Sequence, residues 1–170
     1  MPLLSELEEY KLKIINMIVN DPDCVEFISG NKSMPLPAGS LIYDRIFPYD
    51  YIDETVKDQK SFVCIEIDEG DSTAPQSRYF DVHIYVAVHK SLMKYTDDKG
   101  RGGVRRDAIC AAIDRLMNGS VDLGFGEVKA AYGGRIIFSN DFHAKDLHYR
   151  ILGKNRWGES LDRQRQFATD

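Results

Sequence analysis

The chain is short of cysteine, tryptophan and net positive charge, and it has no long hydrophobic run. Its three cysteines, Cys24, Cys64 and Cys110, are odd in number and far apart in a chain of 170 residues. That argues against a disulfide framework and for reduced thiols in a cytosol. No apolar stretch nears the roughly 20 residues that a bilayer-spanning helix needs. The opening "MPLLSELEEYKLK" carries acids where a signal peptide would be positive, so no secretory leader is expected. With 22 Lys and Arg against 27 Asp and Glu, the formal charge is −5. Broad, sequence-independent binding of duplex nucleic acid needs a basic face and is disfavoured by that balance.

Catalytic signatures are missing too. The glycines at 100, 102 and 103 match neither the Walker spacing nor the dinucleotide fingerprint, and no G-x-S-x-G elbow occurs. Acids in "CIEIDEGD" and "YFDVHIYVAVHK" suggest a metal-dependent nuclease only until Glu66 is seen to lead to Asp68, not to a lysine. His83 and His89 would share a strand face but lie about 20 Å apart. His143 and His148 have no cysteine or carboxylate at ligand spacing. The histidines are expected on polar faces, and no enzymatic activity, cofactor or metal is expected.

What is present is the make-up of one folded domain, 43% hydrophobic and 29% charged, long enough to bury a core. Leu4, Leu7, Tyr10, Ile14, Met17 and Ile18 recur at helical spacing. Asp21-Pro22 reads as an N-cap with proline in the first turn, opening a short second helix that Gly30 ends. "NKSMPLPAGS" has the composition of a linker. Alternation predicts a strand over Ser61–Asp68, a polar connection "EGDSTAPQS", and a longer strand with Phe80, Val82, Ile84, Val86 and Val88 on one face.

A helix of about fifteen residues follows, with Val104, Ala108, Ile109, Ala112, Ile113 and Leu116 as its apolar stripe and Asn118-Gly119 as its stop. The rest reads as a meander of about three strands: "GEVKAAY", a Gly133-Gly134 turn, "RIIFS", then "DLHYRIL". Helices segregated from strands in this order predict an α+β fold: a single antiparallel sheet of about five strands, with the N-terminal helices and one central helix packed on it. Residues 1–152 form the expected domain and 153–170 a polar C-terminal extension.

Two features invite partners. The segment "KYTDDKGRGGVRRD" threads Lys99, Arg101, Arg105 and Arg106 through glycines in an otherwise acidic chain. Arg105 and Arg106 fall in the first turn of a helix, where the dipole disfavours cations. Either solvent screens them, or an acidic surface or nucleic acid meets the loop. The irregular "RIFPYDYIDETVKDQ" is rich in aromatics, and Phe47, Tyr49 and Tyr51 are candidates for contact with a neighbouring subunit. Trp157 and Phe167 are candidates in the extension, which would then act as an inter-subunit arm.

The chain resembles the tail-completion proteins of tailed bacteriophages, the group of tail terminators and head–tail joining proteins. The residues that carry the likeness are "LLSELEEYKLKIINMIVNDPDCVEFISG", "RIFPYDYIDETVKDQKSFVCIEID", "YFDVHIYVAVHKSLMKY", "GVRRDAICAAIDRLMNGS" and "NDFHAKDLHYRIL". It is a likeness of order and texture, and the polar end after Gly153 and the proline-bearing linker depart from it. The resemblance implies a virion protein, assembled in the bacterial cytoplasm, that forms a ring, commonly a hexamer, on the end of the tail tube. Its implied partners are further copies of itself, the tube protein and the head–tail connector, with DNA passing through the channel without specific binding and no membrane contact. The alternatives are a head-side neck or tail-tip component, or, in another class, a small nucleic-acid-associated domain using the basic loop 99–106.

Overall fold

The computed structural model describes residues 4–30, 36–52, 57–74, 77–96, 100, 102–124, 126–137 and 139–154. Helix α1 spans Leu4–Asn20 and α2 spans Pro22–Ser29. Their junction is built as the capping residues dictate. The Asp21 side chain accepts from the Cys24 N–H, Pro22 opens α2, and Gly30 closes it at φ 72°. Leu7, Ile14, Ile15 and Ile18 of α1, and Cys24 and Ile28 of α2, are buried.

Strands β1 (Ile46–Phe47), β2 (Ser61–Ala74), β3 (Ser77–His89), β4 (Lys94–Thr96), β5 (Gly102–Val104), β6 (Val128–Ile136) and β7 (Phe142–Lys154) complete the fold around α3 (Arg105–Met117). The main sheet has the order β1-β2-β3-β7-β6, with β1 parallel to β2 and every other pair antiparallel. The architecture is α+β, as expected. Ile109, Ile113 and Met117 of α3 pack with α1 and α2 over the face formed by Val63, Ile65, Phe80, Val82, Ile84, Val86, Tyr149 and Ile151.

The strands differ from the sequence reading in three places. The expected polar connection after Asp68 continues the ladder instead, so β2 and β3 form one hairpin from Ser61↔Val88 to Ala74↔Ser77, with bulges absorbing its irregular residues. Gly133-Gly134 is no turn. It lies inside β6, opposite Leu147 and Asp146 of β7. A Cβ on Gly133 would sit 3.0 Å from the Asp146 carbonyl oxygen, so glycine serves close backbone approach there, not chain reversal. The expected three-strand meander is therefore two strands, and the fifth strand of the sheet is β1, from the aromatic-rich segment.

Val104 also departs from its assigned place. It is exposed and stands at the N-cap of α3, outside the apolar stripe. Ala38–Leu41, at the end of the expected linker, forms a 3-10 turn that buries Leu41. Among the described residues no helix is long and apolar enough to cross a membrane.

Candidate interaction surface

The basic segment is a hairpin. Lys94, Tyr95 and Thr96 pair with Val104, Gly103 and Gly102 as a separate two-stranded ribbon. Lys99 and Arg101 lie outside the described residues. Arg105 and Arg106, adjacent in sequence, have different roles. The Arg105 guanidinium is half-buried and donates to the backbone carbonyls of Leu92 at 2.9 Å and Phe27 at 3.0 Å. Burial lowers its pKa first, and the neighbouring Arg45 charge adds to that.

Phe27 and Ile28 close α2, and Arg45 donates to the Ile28 carbonyl at 2.9 Å. The two arginines thus meet the negative end of one helix dipole and satisfy carbonyls that the helix leaves open. That explains a cation at the N-terminus of α3: its charge serves the C-terminus of α2. Solvent screening, one of the two expected accounts, does not describe Arg105. Arg106 bonds the Asp107 carboxylate beside it.

The aromatic segment covers the second face of the sheet at one end. Phe47 is buried and stacks on Tyr51 with ring centroids 3.9 Å apart. With Ile52, Phe62, Cys64, Ala87, Phe142 and Ala144 it makes a second small core. Tyr49 and Tyr51 keep exposed surface at its rim. Of the five aromatic contact candidates, Phe47 is thus internal, Tyr49 and Tyr51 are accessible, and Trp157 and Phe167 lie outside the described residues.

The other end of that face is polar, and the cross-strand register builds it. His83 faces His148, Asp81 faces Arg150, and Tyr85 faces Asp146. The two imidazoles stack at 4.3 Å. His83 Nδ1 lies 2.9 Å from Asp146 Oδ2 and His148 Nε2 lies 2.8 Å from Asp81 Oδ1. Arg150 donates to both Asp81 oxygens, at 2.8 and 3.3 Å. Burial works to raise the Asp81 carboxyl, but the bonds from Arg150 and His148 outweigh it and hold the pKa below its ordinary value.

Sequence reasoning missed this cluster because it compared histidines along the chain, His83 with His89 and His143 with His148. The pairs that meet are 65 or so residues apart. His89 instead closes its own strand, its Nδ1 accepting from the Ser91 N–H at 3.2 Å. Among the described residues no group of three or more His, Cys, Asp or Glu is placed to hold a metal ion.

A groove of about 450 Å³ runs between α3 and the β6–β7 pair, lined by Asp107, Cys110, Asp114, Tyr132, Lys145 and Tyr149 among others. Tyr149 donates to Asp114 Oδ1 at 2.9 Å across its floor. Burial pushes the Cys110 and Cys64 thiols up to about 11, and raises Cys24 further. All three thiols are therefore protonated at neutral pH and poor nucleophiles.

The family model described as YomW matches residues 13–151. No curated protein matches the chain.

Proposed function

The chain belongs to the YomW family, and on that premise we propose that it is a phage protein and a structural component of the virion. It is a tail-completion or tail-terminator protein whose copies form a ring, hexameric by resemblance, on the end of the tail tube. The ring stops tube polymerisation, joins the tail to the head connector and lets DNA pass without gripping it. Its partners are other copies, the tube protein and the connector, and it carries out no catalysis.

The observation that supports this role best is the order of elements along the chain. Two N-terminal helices, a long hairpin, a helix lying across the sheet and a closing pair of strands follow one another along the residues that resemble tail-completion proteins, the pair standing where a three-strand meander was expected. The nucleic-acid alternative is weakened by the use of Arg105 inside the molecule and of Arg106 on Asp107.

Negative-stain microscopy of tail tubes grown with and without the protein tests the role. Tubes of bounded length with a ring at one end are the expected result. Tubes that grow unaffected and carry no added density, with a protein that stays monomeric at high concentration, would overturn it.

A further inference from the structure

We infer that residues 155–170 dock back on their own sheet, with Trp157 seated in a groove beside Leu152 on the face turned away from the helices. The contact goes beyond the ring and does not depend on it.

Strand register builds the groove. Lys129 of β6 faces Arg150 of β7, and Leu152 of β7 faces Tyr79 of β3. Between these pairs lies a depression of about 660 Å³, lined also by Glu127, Ala130 and Ala131. None of these residues belongs to the small core under the aromatic segment, which covers the other end of the same face.

The charged side chains around the groove are already engaged. Lys129 bridges Glu127, and Arg150 is bonded to Asp81 and lies 5.3 Å over the Tyr79 ring. What stays uncovered is apolar. Leu152 is 52% exposed, Ala130 and Ala131 are exposed, and Tyr79 is partly so. An occupant that brings apolar surface fits this setting better than a charged ligand, whose own desolvation would go uncompensated.

The chain itself supplies that occupant. Strand β7 stays paired to its last residue, with Lys154 opposite Ser77, which fixes the point where residues 155–170 begin. From Lys154, Leu152 lies two strand residues back, about 7 Å. Trp157 lies three residues on, at most about 11 Å away. The sole tryptophan of the chain is thus tethered within reach of an exposed leucine, and an aromatic ring of its class buries about 150–250 Å² when it docks. So short a tether gives the intramolecular contact a high effective concentration, ahead of the same groove on another copy.

Because Trp157 is alone, its emission reads the contact directly in the full-length chain. Native emission should be blue-shifted from that of the urea-unfolded chain and protected from acrylamide, equally so at low and high protein concentration. Leu152→Glu and, separately, Ala131→Glu should move the emission to the unfolded position and open it to quenching. Leu12→Glu, on the exposed side of α1, should leave it unchanged. Circular dichroism confirms that each variant is folded, and the exposed Ala131 keeps the test open if Leu152→Glu unfolds. Native emission that matches the unfolded chain would overturn the contact, as would protection that survives in a folded groove variant. Protection that appears only as protein concentration rises would assign the groove to a neighbouring copy and overturn the intramolecular contact. All of these are read without tail tubes, so a failure here leaves the ring proposal to its own microscopy.

Discussion

At the scale of single residues, Arg45 and Arg105 donate to carbonyls that the end of α2 leaves open. Arg105 donates to carbonyls on either side of it, from Leu92 and from the last turn of α2. Gly30 is fitted to it twice: its φ is 72°, and a Cβ there would lie 3.2 Å from Arg105 Nη1. Replacing Arg105 by alanine should destabilise the fold by about 2 kcal/mol in urea unfolding. Lysine should restore only part, because one ammonium cannot span both carbonyls. Equal stability of the alanine variant would mean the guanidinium is dispensable.

Asp81 makes a prediction about pH. Its carboxyl has a lowered pKa in the folded state, so its contribution to stability is complete above its ordinary value of 3.8 and is lost as pH falls through the lower folded value. The stability gap between wild type and Asp81→Asn should therefore be largest near neutral pH and shrink below about pH 4. A gap that stays the same from pH 7 to pH 3 would show that the Arg150 and His148 bonds do not discriminate between the charged and neutral carboxyl.

At the scale of elements, the helices and the core-facing alternation were legible, and the turns were not. Asp21-Pro22 and Gly30 bound α2 where their conformational preferences place them. Ile109 and Ile113 point into the Phe80–Val88 face, where both are fully buried. Ile113→Ala should cost about 2–5 kcal/mol in the unfolding free energy, and near-neutral stability would place α3 on the wrong face. The Gly133-Gly134 pair misled because glycine permits both a tight turn and close strand contact. Which of the two applies depends on β7, which lies beyond the pair in sequence. The polar run 69–74 misled similarly, since a hairpin partner can hold residues of low strand propensity in a ladder.

At the scale of the whole molecule, the sheet buries one face and only part of the other. The helices cover one, and a short aromatic segment covers half of the other, leaving the His83–His148 cluster beside it. Phe47 and Tyr49 should consequently behave differently when truncated. Phe47→Ala should lose about 3–5 kcal/mol of stability. Tyr49→Ala, with its ring exposed at the rim, should leave the melting temperature nearly unchanged and act, if anywhere, on assembly. A thermal melt beside a sedimentation run separates the two outcomes, and a large stability loss for Tyr49→Ala would move it from the rim into the core.

By itself the sequence determined the fold class, the limits of α2 and the inner face of the central strands, because capping and hydrophobic period act over a few residues. It also presented the basic segment 94–107 as a site. Only the tertiary structure decided what Arg105 does there and which histidines meet. Each of those depends on residues brought together from distant parts of the chain by strand register and helix packing, and no local pattern records a register.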